Sequence, residues 1–363
     1  MTSPRILSLI LAFCTASSPI LSAKTLVHVS CGKDNEVRTY TIDESKTELT
    51  LVGTTPVKSP RMQWRHSGRP FLFVASADDT VTTLSFAGGQ DVPEVKSTAP
   101  TAGSSSYLCT DPAGEFLFSA SFRTGEVSVY PLTEGGTVGE VIQVLSQPVK
   151  SHCILPDPSG KYFLVPHTMP VNRIDQFRFD REKQELVPND PPYTSPPIDT
   201  GPRHLAISQD GRHVYSSNEQ GISATFHRLD PETGLLTEVQ TVSTFEDGKP
   251  EELMSCSDVE LTPDERFLFV ASREKKENGL SSVSCFAVNA DDGTLSFTSR
   301  TPVDAVPRSF NITPDGKYMI VASQMKHTLT LFTIDPDNGR LTQKQQLGTG
   351  QGPGWVLTRH QSD

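Results

Sequence analysis

Residues Thr200–Asp230 read TGPRHLAISQDGRHVYSSNEQGISATFHRLD. This is a strand, a tight turn at Asp210-Gly211, a second strand and a third strand. Asp-Gly is a hairpin signal because glycine accepts a positive φ at no steric cost. The start of the stretch recurs as Val-Pro-Arg-Ser-Phe-Asn-Ile-Thr-Pro-Asp-Gly at 306–316. A looser copy, Ser-His-Cys-Ile-Leu-Pro-Asp-Pro-Ser-Gly, occupies 151–160. A recurring unit sets the architecture, so it is counted before anything else.

Aligning the copies on the turn gives Ser67-Gly68, Ala113-Gly114, Ser159-Gly160, Asp210-Gly211, Asp264-Glu265 and Asp315-Gly316. They recur about every 50 residues, a propeller-blade period. Each pair predicts a two-residue hairpin. An apolar run follows each turn, such as Phe71-Leu72-Phe73-Val74 or Phe267-Leu268-Phe269-Val270, and predicts a short strand buried on both faces. A third, alternating strand comes next, then a turn such as Asp230-Pro231-Glu232-Thr233-Gly234, then a fourth strand. At the N-terminal end, Leu26-Val27-His28-Val29 begins as a second strand without a first. Pro353-Gly354-Trp355-Val356-Leu357-Thr358 is a first strand without a second. Joined, they complete one blade and leave no open edge. The prediction is an all-β, seven-bladed β-propeller of four-stranded antiparallel blades, one domain over 24–363. Polar, Pro- or Gly-containing inserts at Asn189–Thr200, Thr244–Ser255 and Arg273–Leu280 are expected to be loops.

The composition agrees. The chain has 363 residues, 35% hydrophobic and 21% charged, with 28 Pro and 25 Gly supplying many turns. A net charge of −11 with no basic cluster argues against nucleic acid as a partner. No apolar run reaches the roughly 18 residues of a membrane span. Residues 1–23 differ from the rest: Arg5, an apolar Ile6–Ala12 broken by Ser8, and Leu21-Ser22-Ala23 before a plausible cut. This reads as a secretory signal peptide, hence an exported protein, periplasmic or secreted, free of the membrane after cleavage. The five cysteines beyond it, Cys31, Cys109, Cys153, Cys256 and Cys285, are too scattered for a disulfide framework.

Blade geometry locates the chemistry. A first strand runs from one rim to the turn and the second returns, so residues eight before and eight after the turn glycine share a face. The first column is Pro60, Ser106, His152, Arg203, Ser257 and Arg308; the second is Ser76, Phe122, Thr168, Glu219, Arg273 and Gln324. The next residue along from the first column adds Arg61, His204 and Asp258. Blades four to seven thus bring His152, Arg203, His204, Glu219, Asp258, Arg273, Arg308 and Gln324 to one mouth, whereas blades two and three offer mostly small or apolar residues. Charged residues at strand ends are often solvated or paired between blades. Three arginines at one mouth nevertheless suit an anion and a developing oxyanion. Glu219 or His152 would move the proton of an attacking water. No G-x-S-x-G elbow is present, so activated water is expected rather than a covalent intermediate. Asn218 and Glu219 have only Asp258 as a further acidic partner in these columns, so no metal or cofactor is expected. His28, His66, His213, His227 and His327 are assigned no role, and Trp355 is read as a packing residue of the closing blade, with a place at the mouth as the alternative.

These pieces resemble the seven-bladed propeller lactonases, which include a bacterial 6-phosphogluconolactonase and a fungal 3-carboxy-cis,cis-muconate lactonizing enzyme. The resemblance rests on Ser151-His152-Cys153, Gly201-Pro202-Arg203-His204, Ser217-Asn218-Glu219, Asp258 with Leu261-Thr262-Pro263-Asp264, Pro307-Arg308-Ser309-Phe310-Asn311 and Gly350-Gln351-Gly352-Pro353-Gly354-Trp355-Val356. It implies His152, Glu219, Arg203 and Arg273 as catalytic residues, with Arg308, His204, Asp258 and Gln324 binding substrate. The implied activity is hydrolysis of a sugar lactone, with an anionic one expected, by a metal-independent monomer. A carboxymuconate-type lactonizing cycloisomerase and a non-catalytic exported propeller that binds a partner or ligand are the alternatives.

Overall fold

The computed structural model describes residues 24–246, 254–274, 276 and 281–361. The signal peptide expected over 1–23 lies outside the described residues, as do 247–253 and 277–280 of two expected loops.

Seven four-stranded antiparallel sheets follow one another around a central channel. The innermost strands, in ring order, are Pro353–His360, Pro60–Arg65, Ser105–Thr110, Leu155–Pro156, Pro202–Ile207, Met254–Leu261 and Pro307–Ile312. Blade one is closed as expected. Pro353–His360 pairs with Thr25–Cys31, matching Thr25 to His360 and Val29 to Val356. Arg359 is buried in that closure, with Nε 3.3 Å from His28 Nε2 and its guanidinium over the Phe86 ring.

The second strands are buried along their whole length, among them Phe71–Ser76, Phe116–Ser121, Phe267–Glu274 and Tyr318–Ser323. Their side chains pack blade against blade: Phe118 meets Phe163 of the next blade with centroids 4.2 Å apart, and Phe179 stands 5.1 Å from Phe118. Burying one such ring stabilises the fold by roughly 1.5–3 kcal/mol, so the core is a repeated wedge between blades.

Two expectations change. The first is the hairpin. Gly211 N donates to Ser208 O, and Ser208 N donates to His213 O, so the connection spans four residues rather than two. The repeat carries a side-chain device for this turn. Asp111, Asp157, Ser208, Thr262 and Thr313 each place an oxygen on the backbone N–H five residues on, at 2.8–3.1 Å. The glycine completes the turn: Gly211 has φ 72°, and Glu265 takes φ 58° where most of the other copies have glycine. At Gly114 a Cβ would also lie 2.2 Å from the His66 ring.

The second is the first insert. Asn189–Thr194 is not loop but the end of the outer strand Glu185–Thr194. Proline lacks an N–H to donate, yet an outermost strand has one unpaired side, so Pro188, Pro191 and Pro192 are accommodated there beside a register shift. Likewise Met254–Ser255 and Arg273–Glu274, at the ends of the other two inserts, belong to strands.

Candidate active site

The first strands do not run regularly to the mouth. Pro202 pairs with Asn218 and His204 with Ser217, which leaves Arg203 as an extra residue. The same register shift isolates Arg308 between Pro307 and Ser309, and Ser106 between Ser105 and Tyr107. It also sets out Arg61 and Met62 in blade two and Ser257 and Asp258 in blade six. A regular strand sends neighbouring side chains to opposite faces. A bulge cancels that alternation and re-aims a side chain, which is how both Arg203 and His204 reach one cavity.

That cavity encloses about 770 Å³ at the mouth. Of the residues singled out from the sequence, His152, Arg203, His204, Arg308 and Gln324 line it. Glu219, Asp258 and Arg273 stand behind the wall. Glu219 is held there by cations: its Oε1 accepts from Arg273 Nη2 at 2.7 Å, and its Oε2 lies 3.8 Å from Arg203 Nε. Arg273 Nε also donates to Ser255 Oγ at 3.0 Å. Asn218, the suggested companion of Glu219, faces the blade interior and donates to Ser223 and Thr225 hydroxyls at 2.8 Å.

The polar cluster is not confined to blades four to seven. Lys33 of blade one, Arg61 of blade two and His327 of blade seven also line the cavity, and Trp355 supplies an aromatic wall. Arg61 Nη1 donates to Ser104 Oγ at 2.9 Å, and His327 Nδ1 accepts from Gly352 N at 3.1 Å. Lys33 and His327 lie in turns between strands, outside the repeat columns, so hairpin register gave no signal for them. Trp355 packs edge-on to Tyr107, with centroids 5.6 Å apart, and lies 5.8 Å from His204.

Beneath the cavity runs a buried polar chain. His152 Nδ1 is 3.2 Å from His204 Nε2, and His204 Nδ1 is 2.7 Å from Asp258 Oδ1. Asp258 also accepts from the Val259 and Phe310 amides, both at 3.2 Å. Arg203 Nη1 lies 3.1 Å from His204 Nε2 and donates to the Ser257 carbonyl, while its Nε has no hydrogen-bond partner. Burial and the Arg203, Arg308 and Arg273 charges hold both imidazoles well below the usual range. Burial also raises the Asp258 carboxyl, against the pull of Arg203. Burial and repulsion from Arg273 bring Arg308 down to about 10. The site therefore gathers more positive charge than its own carboxylates offset.

Residues 22–358 match the family model described as lactonase, 7-bladed beta-propeller. The chain belongs to the seven-bladed β-propeller lactonase family. A 6-phosphogluconolactonase of Pectobacterium carotovorum subsp. carotovorum is 33% identical over 254 residues, spanning 70% of this chain and 74% of that protein. A 6-phosphogluconolactonase of Klebsiella pneumoniae is 28% identical over 347 residues, 92% of this chain and 98% of the relative. Among solved structures, the periplasmic gluconolactonase of Pseudomonas aeruginosa shares the fold at a TM-score of 0.83 and 24% identity, covering 93% of this chain and 98% of that one. In this lactonase-family propeller, the Gly-Pro-Arg-His and Pro-Arg-Ser-Phe stretches are the two clearest bulges at the mouth.

Proposed function

We propose that the protein hydrolyses sugar lactones and that its substrate carries negative charge. One observation carries this reading. Among the described residues, the cavity wall bears Lys33, Arg61, Arg203 and Arg308 and no Asp or Glu, in a chain whose net charge is −11. A cleft of one sign concentrates oppositely charged ligands, and guanidinium groups match carboxylate and phosphate oxygens. The relatives named 6-phosphogluconolactonase support the sugar lactone as substrate class.

In the proposed reaction His152, on the wall, activates water. Arg203 and Arg308 stabilise the oxyanion that forms on the carbonyl. Glu219 and Arg273 act from behind, where the carboxylate offsets the crowded guanidiniums. In this arrangement Gln324 meets the substrate from the wall, while Asp258 behind it and His204, which borders the cavity, act through His152. Export through a signal peptide over 1–23 belongs to the same reading, and the periplasmic location of the Pseudomonas aeruginosa neighbour supports it. The test is pH-stat hydrolysis of δ-gluconolactone and its 6-phosphate by wild type and His152→Gln. Wild type should exceed spontaneous opening, and the variant should fall by about 10²–10⁴. Wild type that never exceeds the spontaneous rate on any lactone leaves the reading without support. N-terminal sequencing of the exported protein checks cleavage after Ala23.

A further inference from the structure

Asp258, His204 and His152 form one line of hydrogen bonds from the channel wall to the cavity. We infer that Asp258 and His204 are positioning residues: they fix His152 with its proton on Nδ1 and leave Nε2 bare as the base. The inference rests on the lactonase reading above.

The argument follows the protons. The Asp258 carboxylate already accepts two backbone N–H groups, so it acts as an acceptor toward His204. His204 Nδ1 therefore carries hydrogen. Its ring is neutral, because burial and the Arg203, Arg308 and Arg273 charges oppose a second proton. The lone pair then sits on His204 Nε2. Arg203 Nη1, which has only hydrogens to offer, faces that same atom at 3.1 Å and requires it too. His152 Nδ1, 3.2 Å away, must then be the donor. His152 Nε2 is left with a lone pair and no partner among the described residues, on a ring that borders the cavity.

The assignment completes the reaction. Water oxygen bonds the lactone carbonyl carbon as His152 Nε2 takes its proton, and the carbonyl π pair moves to oxygen. Collapse of that oxyanion breaks the bond from carbon to the ring oxygen. The ring oxygen takes the proton back from Nε2, and the product is the open hydroxy acid. The transient imidazolium is repelled by the Arg203, Arg308 and Arg273 charges and has the Phe122 ring 5.3 Å away. Asp258, relayed through His204, is the negative charge that offsets it.

The experiment is ¹⁵N NMR of histidine-labelled full chain, with His152→Gln assigning the resonance. At pH 7 His152 should show a protonated Nδ1 and an unprotonated Nε2. An Nε2-protonated or imidazolium pattern overturns the inference, whatever the activity. Asp258→Asn removes the negative charge that offsets the imidazolium while an amide oxygen can still accept from His204 Nδ1, so kcat should fall about 10²–10⁴-fold with KM within a few-fold. A folded Asp258→Asn with kcat within three-fold of wild type also overturns it. If wild type opens no lactone yet shows the stated tautomer, the lactonase reading fails while the positioning by Asp258 and His204 is supported.

Discussion

Arg308→Gln tests the charge balance of the mouth, because stability and function should move in opposite directions. Arg308 makes neither hydrogen bond nor ion pair among the described residues. Burial and the neighbouring Arg273 bring it down to about 10. A folded pKa below the unfolded one means the fold is penalised for the charge at every pH below about 10, and the penalty disappears only once the unfolded chain also loses that proton. At neutral pH the difference corresponds to about 3 kcal/mol. Glutamine removes that penalty but forfeits about 1 kcal/mol of packing along the arginine stem. The empty variant should therefore be more stable by about 2 kcal/mol, a rise in Tm of a few degrees at this chain length. With an anionic ligand at 100 times the wild-type Kd the difference should shrink by about 1.4–2.4 kcal/mol, enough to cancel most or all of it. Losing one charged hydrogen bond costs about 1.5–3 kcal/mol of binding, whereas wild type gains about 2.7 kcal/mol at a ligand concentration of 100 Kd. Thermal melts of both proteins, with and without 6-phosphogluconate, read all four states. A variant that melts below wild type when empty and binds this ligand equally well would refute the reasoning.

Glu219→Gln should act the other way on stability. It leaves Arg273 and Arg203 without their shared carboxylate, and breaking a buried pair costs about 3–5 kcal/mol. Since Glu219 is partly exposed, the lower end is expected, read as a drop in urea midpoint; a variant as stable as wild type would show that Glu219 is not the counter-charge. Acid should destabilise the protein early. Burial depresses His28 to about 3 and His227 to about 4 from 6.5, so the unfolded chain binds more protons below that value. Their stabilisation is complete above pH 6.5 and is lost as pH falls, by about 2 kcal/mol each at pH 5. Urea midpoints at pH 7, 6 and 5 check the slope, and an unchanged midpoint at pH 5 would contradict it.

The blade repeat is legible in the chain because each copy carries its own local chemistry. Pro-Asp-Gly turns, doubly buried second strands and the split terminal blade are all consequences of short-range sterics and strand burial. Counting eight residues either way from the turn also finds most of the site, since a hairpin returns its second strand to the rim where the first began. His152, Arg203 and Arg308, with His204 one position along, are placed at the rim by that rule and line the cavity.

What the rule omits are the bulges, whose register shift depends on the facing strand and not on the residue itself. Without the bulge at Arg203, alternation would send that guanidinium and His204 to opposite faces. The column rule also assigns Glu219 and Arg273 to the mouth, but their mutual pairing across neighbouring blades draws them behind the wall. Lys33 and His327 arrive from turns of blades one and seven, which only ring closure makes neighbours. Local sequence thus determined the repeated sheet and the residue types at its rim. Tertiary structure decided which of them face the substrate, because hydrogen bonds and ion pairs between blades join residues far apart in the chain.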